Sequence, residues 1–291
     1  MSHQIPRLVI LPIDDIRPHE EYDRWILLRI VGSLKLEGAV HDPILVDEDS
    51  LTILDGTHRY WALKKLGCSS VPAALYNYNS QSIKVGCWYR CLNRPPPTDL
   101  FRLLKLRPTS RDEAQRLLNV RGVCLSILTR GESYVFDWEP GMEIDVYAAY
   151  QFMAFLEGGF KSRGYGVTYA TEMDAVEMLS SGEAAAVIAP PPIKKEEVIL
   201  TIKHNKLFPK KSTRHVLPYR PMGINVPLSW LQGSAEKASE KLQELLSRGT
   251  FQRMRSGIVI GGRRYEEEVY IFELRTSGGG SQRYQRSGLG T

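Results

Sequence analysis

Residues 53 to 67 read ILDGTHRYWALKKLG, with Asp55, Gly56, Thr57, His58 and Arg59 standing in consecutive positions between an apolar run and an amphipathic stretch. This order delivers a carboxylate and a glycine from a buried strand into the mouth of a helix. The first N–H groups of a helix have no intrahelical acceptor and the helix dipole adds partial positive charge, so an anion is stabilised there. Gly56 lets the backbone approach a ligand, and Thr57, His58 and Arg59 can surround a phosphate with donors. Asp55 can face a magnesium ion or an exchanging proton. The same residues suit plain helix capping, with Asp55 as the cap, Thr57 as a second hydroxyl, and His58 and Arg59 in a solvated first turn.

Two further stretches bear on this choice. In RPHEEYD, Glu20 and Glu21 follow a Pro-His pair ahead of a helix, where acidic residues ordinarily complement the dipole. In KKSTRHVLP, Lys210, Lys211, Ser212, Thr213, Arg214 and His215 run directly into the apolar Val216, Leu217 and Pro218. A basic run is ordinarily a solvated face, but the apolar residues pin part of this one to the protein body. Phosphate recognition uses such groups.

The elements that must hold these residues follow from periodicity. RLVILPI reads as a strand, and YDRWILLRIVGSLKLEG carries Ile26, Leu27, Ile30, Val31 and Leu34 at helical spacing and stops at Gly38. PILVD and LTIL flank a turn at EDS, the helix THRYWALKKLG follows, and VPAALYNY and SIKVGCWYRCL read as strands up to the loop NRPPPTD. Helices and short strands alternate from about 100 to 190, and IKKEEVILTIKHNKL reads as a helix after three prolines. The last portion offers the helix SAEKASEKLQELLSRG, a strand pair formed by GIVIG and EVYIFELR, and a Gly/Ser/Arg-rich tail from about 276 too polar to order itself.

Composition sets the class. Hydrophobic residues at 43% and charged residues at 24% describe a globular chain long enough for one large or two modest domains. The net charge of +5 is mild and spread out, which suits a solvated surface rather than a nucleic-acid footprint. No apolar run approaches the ~18 residues of a membrane span and the N-terminus lacks the order of a secretory signal, so a cytoplasmic protein is expected. Cys68, Cys87, Cys91 and Cys124 are too few for a disulfide scaffold and lack zinc spacing; four buried, reduced thiols are expected.

LPIDDIRPHEE, ILDGTHRYWALKKLG with the following VGCWY, and KSTRHVLPYRPMGINVPLSWL resemble, in order and over roughly residues 8 to 231, the archaeal free L-serine kinases. This is the ADP-dependent serine kinase family, whose N-terminal unit belongs to the ParB/sulfiredoxin-like superfamily. The resemblance implies an α+β fold: a ParB/sulfiredoxin-like nucleotide-binding domain over 1–95, a smaller α/β domain over 98–232 ending in the KSTRHVLP loop, and an extension over 233–291 to which no role is assigned. It implies transfer of a phosphoryl group from ADP or ATP, with Mg2+, to the hydroxyl of free L-serine, giving O-phospho-L-serine that can feed cysteine synthesis.

Carried over by position, Glu20 is the general base, Asp55 a second catalytic carboxylate and magnesium ligand, and Gly56, Thr57, His58 and Arg59 the anion-binding turn. Thr213, Arg214 and His215 close on phosphate or on the serine carboxylate, with Lys211, Ser212 and Trp88 on the substrate side; Trp88 also suits a core aromatic. The partners implied are nucleotide and serine, with no nucleic acid and no membrane. Walker and protein-kinase signatures are absent from the sequence. The family commonly shows His where Thr57 stands, which bears on the choice of donor, and the extension continues past the usual end of these kinases. A sulfiredoxin-like reductase would need a thiol where Thr57 stands. A ParB-like nucleotide-dependent DNA-binding or nucleotide-sensing protein remains the alternative and would carry an all-helical, helix-turn-helix domain.

Overall fold

The computed structural model describes residues 7–137 and 144–275; the tail expected from about 276 lies outside the described residues. The described residues divide into two compact units, one drawn from 7–84 with 215–275 and the other from 85–137 with 144–214. Residues 233–275 belong to the same unit as residues 7–84.

The first unit is built on a four-stranded sheet in the order Arg7–Pro12, Ser70–Tyr76, Ile44–Asp47, Ile53–Asp55. Its inner strands are almost wholly buried, which explains their unbroken apolar runs. The helix Arg24–Glu37 is capped by the Asp23 carboxylate on the amides of Trp25 and Ile26 and ends at Gly38, whose φ of 66° and N–H to Leu34 carbonyl bond close it as the periodicity predicts. It packs against the second helix, Thr57–Lys65.

The return of the chain completes this unit. Helix Ala235–Ser247 packs on strand Arg7–Pro12, and Val226 pairs with Val40. A three-stranded sheet places Glu268–Leu274 between Tyr219–Met222, to which it is parallel, and Gly249–Met254, to which it is antiparallel. The expected pairing of GIVIG with EVYIFELR does not occur: Val259–Ile260 pairs with Arg263–Arg264, and the longer strand finds longer partners.

The second unit is a six-stranded antiparallel sheet, in the order Val167–Ala170, Tyr89–Leu92, Ala186–Ala189, Leu125–Leu128, Ser133–Phe136, Arg107–Thr109. Helices cover both faces. Leu92, Leu125, Ile127 and Ile188 face a core with Tyr150, Met153 and Phe160 of helix Val146–Ser162, while Cys91, Leu128 and Val187 face Ala114, Leu118, Ala175 and Leu179. Alternate side chains of one strand thus enter opposite cores. SIKVGCWYRCL, read as one strand, is two: Lys84–Cys87 and Tyr89–Leu92, the second interior to this sheet. Among the described residues no helix is long and apolar enough to cross a membrane.

Candidate active site

Glu20, Asp55, Gly56, Thr57, His58, Arg59 and His215 belong to the first unit; Trp88, Lys211, Ser212, Thr213 and Arg214 belong to the second. Within the first unit the strand Ile53–Asp55 ends on Gly56, which takes a φ of 101° and is itself the N-cap of Thr57–Lys65. A β-carbon there would lie 2.8 Å from Cγ2 of Ile44 and 3.0 Å from Nη2 of Arg59, so the turn needs glycine for space as well as for dihedral angle. The N-cap is a glycine, with no side chain of its own to accept from the leading amides, and the first turn holds no acidic residue. Asp55 stands one residue ahead of the N-cap, and DGTHR forms a strand-to-helix turn whose leading amides open a helix mouth.

Arg59 is turned back rather than outward. Its Nη1 donates to the carbonyls of Asp42 at 3.0 Å and Pro43 at 2.9 Å, and its Nη2 donates to Oδ2 of Asp55 at 3.1 Å. It thus holds the turn. Asp55 Oδ2 also accepts from Nη1 of the buried Arg220, whose Nε donates to Glu267 Oε1 at 2.7 Å. Burial alone would lower the Arg220 pKa, but the Asp55 and Glu267 carboxylates outweigh it and raise it, so this guanidinium is a fixed cation. Sequence reading passed over Arg220, although it stands inside the third motif as YRP, and over Glu267, whose EEE run reads as a solvated face.

The Glu20 segment is fastened to the same strand. Arg17 exchanges backbone hydrogen bonds with Leu51 and Ile53, each 3.0 Å, and the amide of Asp23 donates to Nε2 of His58 at 2.9 Å. His19 is buried, and burial lowers its pKa to about 4 against a backbone hydrogen bond with Ile53. The ring is therefore neutral, and although its Nε2 lies 3.9 Å from Glu20 Oε1 it supplies no charge to that carboxylate. The His19 ring meets that of His215 edge-on at 5.2 Å, and the His215 Nε2 lies 2.8 Å from the Tyr78 hydroxyl. His19 thus lies between Glu20 and His215, and His58 holds the same segment at Asp23, with Asp55 at the end of the adjoining strand.

In the second unit the basic loop is held from beneath by Arg90, which is wholly buried. Its Nη1 donates to the carbonyls of Trp88 at 2.8 Å and Lys211 at 2.9 Å, its Nη2 to that of Lys210 at 3.3 Å, and its Nε to Glu157 Oε2 at 3.0 Å. Lys211 takes a φ of 61°, an unusual backbone for a non-glycine residue, and its ammonium lies 5.2 Å from the Trp88 ring centroid. Ser212 is buried and donates to the Pro209 carbonyl at 2.6 Å, so its hydroxyl serves the loop. Arg214 lines a cavity of about 160 Å³ with Gly86, Cys87, Thr171 and Glu172.

Thiolate chemistry is disfavoured by these surroundings. Cys68, Cys91 and Cys124 are buried and Cys87 half-buried, all four are free, and burial pushes their pKa values to about 11 or 12, so none is a thiolate at neutral pH. Among the described residues no group of three or more His, Cys, Asp or Glu could hold a metal ion. With Asp55 already accepting from two guanidiniums, the residues present do not make a protein cage for magnesium.

No family model matches the chain. It is 29% identical over 238 residues to the ATP-dependent L-serine kinase of Staphylothermus marinus and 29% identical over 229 residues to the ADP-dependent L-serine kinase SerK of Thermococcus kodakarensis, covering 77% of this chain and 91% and 92% of those proteins. The solved structure of a free serine kinase in complex with AMP superposes with a TM-score of 0.65 at 25% identity, covering 79% of this chain and 98% of that one. The chain is similar in sequence and in fold to the free serine kinases. The α+β fold is the one these relatives have. Among the serine kinases, the ATP-dependent L-serine kinase SbnI of Staphylococcus aureus is 24% identical over 286 residues and covers 94% of this chain, so the likeness runs into residues 249–275 and is not confined to residues 8–231. The sheet-centred second unit also differs from the all-helical domain expected of a ParB-like DNA-binding protein, although a Sulfolobus acidocaldarius relative at 27% identity is named ParB-like.

Proposed function

We propose that the chain is a nucleotide-dependent L-serine kinase that makes O-phospho-L-serine. The observation that carries this reading is the helix mouth that opens at the glycine N-cap Gly56, set beside a carboxylate fixed by two guanidiniums. The relatives' names supply the acceptor, and both ADP and ATP appear among them as donor.

In the proposed reaction the leading amides of Thr57–Lys65, with Thr57 and His58, hold the transferring phosphoryl group, and Glu20 accepts the proton of the serine hydroxyl. The oxygen of serine forms its bond to phosphorus as the bond from phosphorus to the nucleotide oxygen breaks, leaving AMP from ADP or ADP from ATP. Such transfer depends chiefly on positioning and on neutralising oxygen charge, which amide donors and a correctly placed base provide. Asp55 orders the turn and assists proton transfer. Thr213, Arg214 and His215, with Lys211 and Trp88, are assigned to the anionic ends of the substrates. Magnesium would accompany the nucleotide and would supply charge neutralisation at the phosphates.

The test is incubation of the purified chain with magnesium, L-serine and either ADP or ATP, followed by phosphorus NMR, with Glu20→Gln as control. Phosphoserine from one donor, lost in the control, supports the reading and names the donor. No product from either, in folded protein, overturns it.

A further inference from the structure

Glu267 stands outside every motif that carries the resemblance to serine kinases, yet it completes the set of charges around Asp55. Strand Glu268–Leu274 runs parallel to Tyr219–Met222 in the register Tyr219 with Glu268 and Arg220 with Val269. That register brings the residue just ahead of the strand, Glu267, beside the Arg220 side chain, where Oε1 accepts from Nε at 2.7 Å. The two side chains are only 8% and 11% exposed, and the guanidinium lies 5.9 Å from the centroid of the buried Tyr265 ring.

A guanidinium is a rigid planar fork, so holding its Nε edge fixes the direction of its Nη groups. With Glu267 on the Nε edge, Nη1 faces Asp55 Oδ2. The charges also balance. Asp55 and Glu267 offset Arg59 and Arg220, whereas without Glu267 the Asp55 carboxylate would face two guanidiniums with no second acid to offset them.

We infer that residues 249–275 form a positioning element of the phosphoryl-transfer centre, acting through Glu267 on Arg220 and through Arg220 on Asp55. The inference rests on the kinase reading for its readout. Glu267 is a positioning residue here: it is two links removed from the reacting atoms.

The test uses the full chain. Glu267→Ala is expected to lower kcat tenfold or more, referred to the folded fraction, while KM for serine and nucleotide changes less than twofold. A role confined to stability would leave kcat per folded molecule unchanged. Glu267→Gln keeps an acceptor for Nε without the charge and is expected to recover part of the loss. Unchanged kcat in folded Glu267→Ala overturns the inference. Should that variant not fold, Glu267→Gln decides on the same readout, a threefold or larger fall in kcat supporting the inference and an unchanged kcat overturning it. An inactive wild-type chain with either donor would instead overturn the kinase reading, and loss of hydrogen-exchange protection at the Tyr60 amide, which donates to the Gly56 carbonyl at 3.0 Å, would in the Glu267 variants then still read the coupling, with unaltered protection overturning it.

Discussion

The amide of Asp23 donates to Nε2 of His58 at 2.9 Å, joining the segment that carries Glu20 to the helix mouth that follows Asp55. Because Nε2 accepts, the proton of the neutral ring sits on Nδ1. His58→Leu removes the acceptor and leaves the amide without its imidazole. Loss of one such bond costs about 1–2 kcal/mol, and kcat is expected to fall at least tenfold as the Glu20 segment loosens. Urea denaturation and steady-state kinetics check the two effects separately, and full activity in a destabilised variant would show that the bond serves the fold alone.

Stability is expected to depend on pH through His19. Burial lowers its folded pKa to about 4 from an ordinary 6.5. Above the unfolded value the ring is neutral in both states and contributes nothing. As pH falls through 6.5 towards 4 the unfolded chain takes up the proton first, so stability falls with pH across that window. A displacement of this size is worth about 3 kcal/mol when fully developed. The thermal midpoint of the wild type should therefore drop over this range, and that of His19→Leu should drop less. Parallel curves would remove His19 as the source.

Gly56→Ala places a methyl group 2.8 Å from Ile44 Cγ2 on a backbone with φ of 101°. The expected destabilisation is about 1–3 kcal/mol, and the affinity for ADP, measured by calorimetric titration, should weaken because Arg59 must shift. Unaltered affinity would place the phosphate elsewhere.

Arg90→Met removes the buried support of the basic loop. Glu157 keeps its bonds from Lys161 at 2.6 Å and Tyr169 at 2.5 Å, yet loses the cation buried beside it. Burial works to raise the Glu157 pKa, but hydrogen bonds from Lys161, Tyr169 and Arg90 and the Arg90 charge outweigh it and hold the pKa low. Removing one partner of such a pair costs about 3–5 kcal/mol. The double variant Arg90→Met, Glu157→Gln should lose less in urea denaturation than the two single losses together.

Local features were the legible ones. Gly38 as a helix stop and Gly56 at a strand-to-helix turn follow from the conformations that only glycine takes easily. What the sequence left open was which way a side chain turns: Arg59 reads as a phosphate donor by spacing, but the carbonyls of Asp42 and Pro43 lie within its reach and claim it. Arg220 with Glu267, 47 positions apart, and Arg90 with Lys211, 121 apart, depend on strand register and loop return, which periodicity does not encode. The helix mouth was thus readable as a place, while the charges that set its chemistry were not.

The way the second unit interrupts the first also fixes an order of maturation. Residues 85–214 are contiguous, so their sheet has all its strands as soon as that stretch has left the ribosome. Residues 1–84 emerge earlier but wait longer: Val40 pairs with Val226, strand Arg7–Pro12 takes its cover from helix Ala235–Ser247, and Arg220 meets Glu267 only once residue 267 has been made. Contacts so distant in sequence form late and slowly. The nascent chain therefore has every strand of the second unit while the first still lacks residues 215–275, and the Asp55 turn receives its second guanidinium only after the whole second unit has been made.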